Sequence, residues 1–215
     1  MKIPLSKLLK RQSYVGIATL QDEVVDMVYS IAPEAVLHGG TAIWRCYQGN
    51  RFSKDLDFYA KPSKDFKEKF SEELKKRAIR LDKFKQTRNT VFSKVSSDTV
   101  EVSLEIALRR VAKKQVADYE RADGSTINIY SLSIEDLIAE KINAYLNRKL
   151  VRDLYDVFFL SSKVRDFSKI GRECNRFIKE AKMPVDERNL KALVYSGIAP
   201  EAKHMLDTLF RRFKT

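Results

Sequence analysis

The chain has 215 residues, 44% of them apolar and 33% charged, and its 41 Lys and Arg against 29 Asp and Glu give a net charge of +12 and a pI of about 9.6. That length can bury a core as one large or two small domains, and the charge favours an anionic partner, a lysine-rich solvated surface being the alternative reading. No run reaches the roughly 18 apolar residues of a membrane span, the basic N-terminus lacks a signal-peptide core, and Cys46 and Cys174 lack metal-type spacing. The expectation is a soluble, cytoplasmic protein with reduced thiols and no membrane partner.

The basic excess is spread along the chain: 24 against 17 acidic residues up to position 130, and 17 against 12 beyond it. Residues 15–31 place Ile17, Leu20, Val24, Met27 and Val28 at helical spacing, which predicts a core-facing helix. Pro33 leads to a short apolar strand, Ala35–Leu37, then a Gly39-Gly40 turn and a helix over Thr41–Tyr47. A strand over Leu56–Ala60 ends at Lys61-Pro62, and Ser63–Arg80 reads as a charged helix with Phe66, Phe70 and Leu74 inward. The period then changes to two over Val91–Val95 and Val100–Leu108, the mark of half-buried strands. Val116–Glu120 and Ser125–Tyr130 flank Asp123-Gly124, a hairpin signal because both residues tolerate positive φ.

From Ser133 the pattern is helical. Ser133-Ile-Glu-Asp136 has capping-box spacing before Leu137–Leu146. Further helices are expected over Val151–Ser161, 167–182, 186–196 and 200–213. These elements predict an α+β fold: a small mixed sheet with helices over residues 1–130, followed by a helical C-terminal module over 131–215.

The stretch His38–Phe58, HGGTAIWRCYQGNRFSKDLDF, concentrates the chemistry. Gly39 and Gly40 let backbone N–H groups approach phosphate oxygens where a strand becomes a helix, and a helix N-terminus favours anions. Asp55 and Asp57, two apart in a strand, would point to one face and reach one metal pair. Such oxygen ligands suit Mg²⁺, so the stretch reads as a phosphoryl- or nucleotidyl-transfer site. Arg51 and Ser53 could both contact phosphate; an ion pair and a capping serine are their alternative readings.

A third carboxylate would come from Val100-Glu-Val-Ser-Leu-Glu-Ile106, where Glu101, Ser103 and Glu105 share the polar face. Either glutamate could join the aspartates if its strand neighbours theirs, or lie on an exposed face. Lys141 falls within the apolar stripe of its helix and must snorkel to water or meet an anion. Arg152, Asp153 and Asp156 open the next helix, and Arg152 and Asp156 could pair four apart. The run 75–88, with seven bases and one acid, could track a nucleic-acid backbone or form a solvated helix end. His38 and His204 lack metal-site or triad partners by spacing, and His38 reads as a local packing or hydrogen-bonding group.

The set HGGT…RFSKDLDF, VEVSLEI, SIEDLIAEKINAY and NRKLVRDLYDVFFL, in this order over roughly residues 35–160, resembles the AbiEii/AbiGII nucleotidyltransferases, toxins of type IV toxin–antitoxin systems. The resemblance implies a polymerase-β-like nucleotidyltransferase domain with a helical C-terminal portion. It implies that Gly39, Gly40 and Thr41 hold the NTP triphosphate and that Asp55, Asp57 and Glu105 hold Mg²⁺. Lys141, in the Asp-x4-Lys-x2-Ala motif from Asp136 to Ala144, would contact phosphates. Arg152, Asp153 and Asp156 match the final Arg-Asp motif and would act in nucleotide binding or catalysis.

The leading expectation is a Mg²⁺-dependent enzyme moving NMP from an NTP to an acceptor hydroxyl, the 3′ end of a tRNA, with a cognate antitoxin as partner and the nucleotide in a cleft between the two halves. The alternatives are a protein or small-molecule acceptor, or a non-catalytic nucleotide- or RNA-binding module.

Overall fold

The computed structural model describes residues 3–214. The chain divides into two compact units: residues up to Tyr47 with Ser53–Leu132, and Gln48–Phe52 with the residues from Ser133 onward.

In the first unit, a short helix α1 (Leu5–Leu8) precedes α2 (Gln12–Ile31), which buries Ile17, Leu20, Val24, Met27 and Val28 as its spacing requires. It starts at Gln12, three residues before the expected position, because its first turn carries no apolar face to reveal it. The unit's sheet contains β1 (Val36–His38), β2 (Leu56–Tyr59), β3 (Arg80–Gln86), β4 (Thr90–Ser97), β5 (Val100–Ala107), β6 (Gln115–Glu120) and β7 (Thr126–Ser131), in the order β3-β4-β5-β2-β1-β7-β6. β1 runs parallel to β7 and β2 parallel to β5, and the other pairs are antiparallel. The sheet is mixed, as expected. On β5, Val102, Leu104 and Ile106 are fully buried, and α2 packs on this strand. Gly16 permits that approach, since a β-carbon there would lie 3.0 Å from Val100 Cγ1.

Two further expectations for this unit need correction. The charged helix α4 spans Phe66–Lys76, burying Phe66, Phe70 and Leu74, and Arg80 opens the edge strand β3. At the β6–β7 hairpin only Gly124 takes a positive φ (+89°). Asp123 holds the turn with its side chain, accepting from Ser125 N at 2.8 Å and Oγ at 2.7 Å.

The second unit is helical: α5 (Ile134–Arg148), α6 (Val151–Ser161), α7 (Gly171–Glu180), α8 (Leu190–Leu193) and α9 (Ala202–Arg212), with 3₁₀ turns at Ser168–Ile170 and Glu187–Asn189. Ser133 caps α5 by accepting from Asp136 N at 3.1 Å, while Asp136 accepts from the Ser133 hydroxyl at 2.9 Å. The Asp136 carboxylate therefore bonds the serine side chain where a capping box would reach the backbone. Gln48–Phe52 join this unit through Phe52 N to Leu193 O (2.9 Å) and Tyr195 N to Asn50 O (3.1 Å). Those bonds end α8 well before the expected residue 196. Among the described residues, no helix is long and apolar enough to cross a membrane.

Candidate active site

β1 leads directly into α3 (Gly39–Cys46), so the helix begins at the first glycine, two residues before Thr41. Gly39 has a φ of +70°, and a β-carbon there would overlap Asp57 Oδ2 and lie 3.1 Å from its Cγ. The glycine is needed twice, for its backbone and for its missing side chain. His38, the residue before α3, makes no side-chain capping hydrogen bond to it. Thr41, fully buried, donates from Oγ1 to Asp55 O at 2.5 Å and ties the helix to the loop before β2.

The sheet register arranges the carboxylates. His38 lies opposite Asp57 across β1 and β2, and Asp57 lies opposite Glu105 across the parallel pair β2 and β5. The three residues form one row over three strands and line an open pocket of about 560 Å³. Tyr59, two residues after Asp57, stacks on His38 with centroids 3.7 Å apart, and the Arg109 guanidinium sits 4.0 Å from the Tyr59 ring centroid. Sequence spacing assigned His38 to packing and passed over Tyr59 and Arg109; their adjacency depends on strand order.

Asp55 stands one residue before β2, is exposed, and does not line this pocket. Among the described residues, no three His, Cys, Asp or Glu side chains gather closely enough to enclose a metal by themselves. Glu101 is engaged by Lys54 (2.8 Å) and Lys94 (3.2 Å), whose hydrogen bonds hold its carboxyl below the usual range. Glu101 is thus half-buried between two lysines, and Glu105 is the glutamate that the register sets beside Asp57. Gln21, fully buried in the apolar stripe of α2, donates to Ser53 O and Lys54 O, both at 2.9 Å, and so holds the loop leading to Asp55. Its signal was legible: a buried amide must find partners.

In the helical unit, the Arg51 fork grips Asp156 through Nε–Oδ1 and Nη2–Oδ2, both 2.9 Å. Lys141, 7% exposed, pairs with Asp156 at 2.8 Å and with Asp153 at 3.6 Å. Arg148 holds Asp153 bidentately at 2.6 and 2.7 Å. Lys141 thus meets anions, and three cations surround two fully desolvated carboxylates. Asp156 takes Arg51 as its partner, so the expected Arg152–Asp156 pair does not form, and Arg152 is half-buried. Burial opposes the Asp156 charge, but Arg51 and Lys141 outweigh it and hold its carboxyl below the usual carboxylate range. Burial pushes the Cys46 thiol up to about 12 and Cys174 to about 11, so neither is an activated nucleophile.

The basic run 75–88 is divided between the end of α4 and β3, and Lys76, Arg77 and Arg80 are paired with Glu73, Glu23 and Glu73, and Asp82.

Comparison with solved structures places this fold beside JHP933 from Helicobacter pylori (TM-score 0.64, 19% identity, 95% of this chain and 91% of that one). It is also similar to MenT4, a nucleotidyltransferase toxin from Mycobacterium tuberculosis H37Rv (TM-score 0.63, 19% identity, 94% and 84%). No curated protein sequence matches. The family model described as "Nucleotidyl transferase AbiEii toxin, Type IV TA system" matches residues 28–214, and the chain belongs to that family of nucleotidyltransferases.

Proposed function

We propose that the protein transfers a nucleoside monophosphate from an NTP to the 3′ end of a tRNA, in the cytoplasm, in a Mg²⁺-dependent reaction that makes it the toxin of its pair. Membership of the family already implies an NTP substrate and an antitoxin counterpart, and it leaves no place for a purely binding module. The observation that carries the reading is the cross-strand pair Asp57–Glu105 in an open pocket, beside a glycine turn shaped around Asp57.

Two facing oxygen donors suit Mg²⁺, which normally binds through one or two carboxylates plus substrate phosphates. Asp57 and Glu105 would hold it, and Asp55, which lies outside this pocket on the loop before β2, would have to swing in to add a third donor. Bound there, the ion would neutralise phosphate charge and make the attacking hydroxyl more acidic. The chain's own residues supply the rest. Gly39, Gly40 and Thr41 offer N–H groups to the triphosphate at the start of α3, and Ser53 offers a hydroxyl from the loop that Gln21 anchors. The RNA 3′ oxygen forms a bond to the α-phosphorus as the bond to the β-phosphate bridging oxygen breaks and pyrophosphate leaves. Glu105, the exposed member of the pair, accepts the hydroxyl proton.

In the helical unit, Lys141 is assigned to phosphate oxygens. Asp153 and Asp156 hold its ammonium in place, Arg51 fixes Asp156, and Arg152 adds a second cation on α6. Incubation with Mg²⁺, each α-labelled NTP in turn and total tRNA tests the reading. Label should enter RNA and disappear with Asp57→Ala. Folded protein that labels no RNA with any NTP would refute it.

A further inference from the structure

Beside the carboxylate pocket lies a second pocket of about 440 Å³, and the two share Tyr59 and Arg109 as a common wall. The chemistry of the second is opposite. Lys61, Arg109, Arg110 and Lys114 line it, and Glu34, paired with Lys114, is the only acid in its lining among the described residues. Arg109 is held over the Tyr59 ring at 4.0 Å, and Lys114 Nζ lies 3.7 Å from the Tyr130 ring centroid. Cation–π contacts of this kind fix the heads of long side chains that would otherwise sample many rotamers.

The backbone explains the adjacency. Ala60 N donates to Ala107 O at 3.2 Å, so the ends of β2 and β5 leave the sheet together. Lys61 follows one strand, and Arg109 and Arg110 follow the other. The same register that sets Asp57 opposite Glu105 therefore places three cations just beyond them.

We infer that this basic pocket binds the phosphodiester backbone of the RNA acceptor, holding the strand so that its terminal hydroxyl reaches the Asp57–Glu105 pocket. The inference rests on the nucleotidyltransferase reading above and adds a site to it. Several cations around one acid suit a polyanion, and guanidinium forks suit phosphate oxygens. The NTP triphosphate has the same chemistry, so the experiment separates the two sources.

The variants are Arg110→Ala, which removes one charge, and the double reversal Lys61→Glu with Arg110→Glu. Neither residue belongs to the catalytic set. Fluorescence anisotropy with labelled tRNA over a series of salt concentrations gives affinity and salt slope, and steady-state kinetics give separate KM values for RNA and NTP. The double variant should bind tRNA at least ~10-fold more weakly at low salt, and Arg110→Ala should make the salt slope shallower by about 1. KM for RNA should rise while KM for NTP and the melting temperature stay unchanged. Unchanged RNA affinity and slope in both variants would overturn the inference, as would a rise in the KM for NTP alone. Weakened tRNA binding in the variants, with a wild type that labels no RNA, would refute the proposed function and leave the pocket's role standing.

Discussion

The Asp57 carboxylate rests against Gly39, and no other residue type fits that position without moving it. Gly39→Ala introduces a methyl group into the carboxylate and strains a φ of +70°, at a backbone cost of about 1 kcal/mol. A shift of about 1 Å in a reacting group can cost ~10²-fold in rate. We expect Gly39→Ala to lower kcat by that order while the melting temperature falls by only a few degrees. Steady-state kinetics beside calorimetry will show it; a proportionate loss of both would mean the glycine serves folding alone.

Asp57→Asn and Glu105→Gln keep shape and remove charge. Each should abolish the binding of Mg²⁺ with a non-hydrolysable NTP, as measured by isothermal titration calorimetry, and leave the circular dichroism spectrum unchanged. Glu101→Gln should bind the ion as the wild type does, because Glu101 already pairs with Lys54 and Lys94.

The Arg51–Asp156–Lys141 cluster makes a different prediction. Removing one partner of a buried pair leaves uncompensated charge, at a cost of roughly 3–5 kcal/mol. Asp156→Asn should destabilise the helical unit by that amount in urea denaturation. A change below about 1 kcal/mol would contradict the buried geometry.

The same cluster sets a pH dependence. The Asp156 carboxyl is held below its ordinary value, so its contribution is present above about 4 and fades as pH falls through the folded-state value. Asp22 runs the other way. Burial outweighs Arg45 and its hydrogen bonds and raises its carboxyl, so its contribution is present in acid and fades as pH rises through the raised value. Stability measured against pH should show an acid limb below about 4 that Asp156→Asn flattens and Asp22→Asn leaves in place.

Much of this fold is legible in the chain because the burial periods are clean. Val102, Leu104 and Ile106 alternate on β5, and α6 runs over the expected Val151–Ser161. β3 escaped for a physical reason. Its register shifts between Leu81 and Lys83, so Leu81 and Phe84, which pair with the inward-facing Val95 and Ser93, lie three residues apart. A bulge thus imitates helical spacing on a charged edge strand. At the site, spacing offered Asp55 and Asp57 with either Glu101 or Glu105, and the family resemblance singled out Glu105, but the Asp57–Glu105 pairing depends on β5 lying beside β2. Arg51 and Asp156 are 105 positions apart, and no local pattern records such a contact.

In the proposed reaction Asp57 and Glu105 catalyse nucleotide transfer. The most direct test follows pyrophosphate release and α-phosphate incorporation into tRNA in one reaction, for the wild type and Asp57→Asn. We predict one pyrophosphate released per nucleotide incorporated, with both signals lost in the variant. Undiminished incorporation by Asp57→Asn, or transfer of the γ-phosphate in place of the α-phosphate, would contradict it.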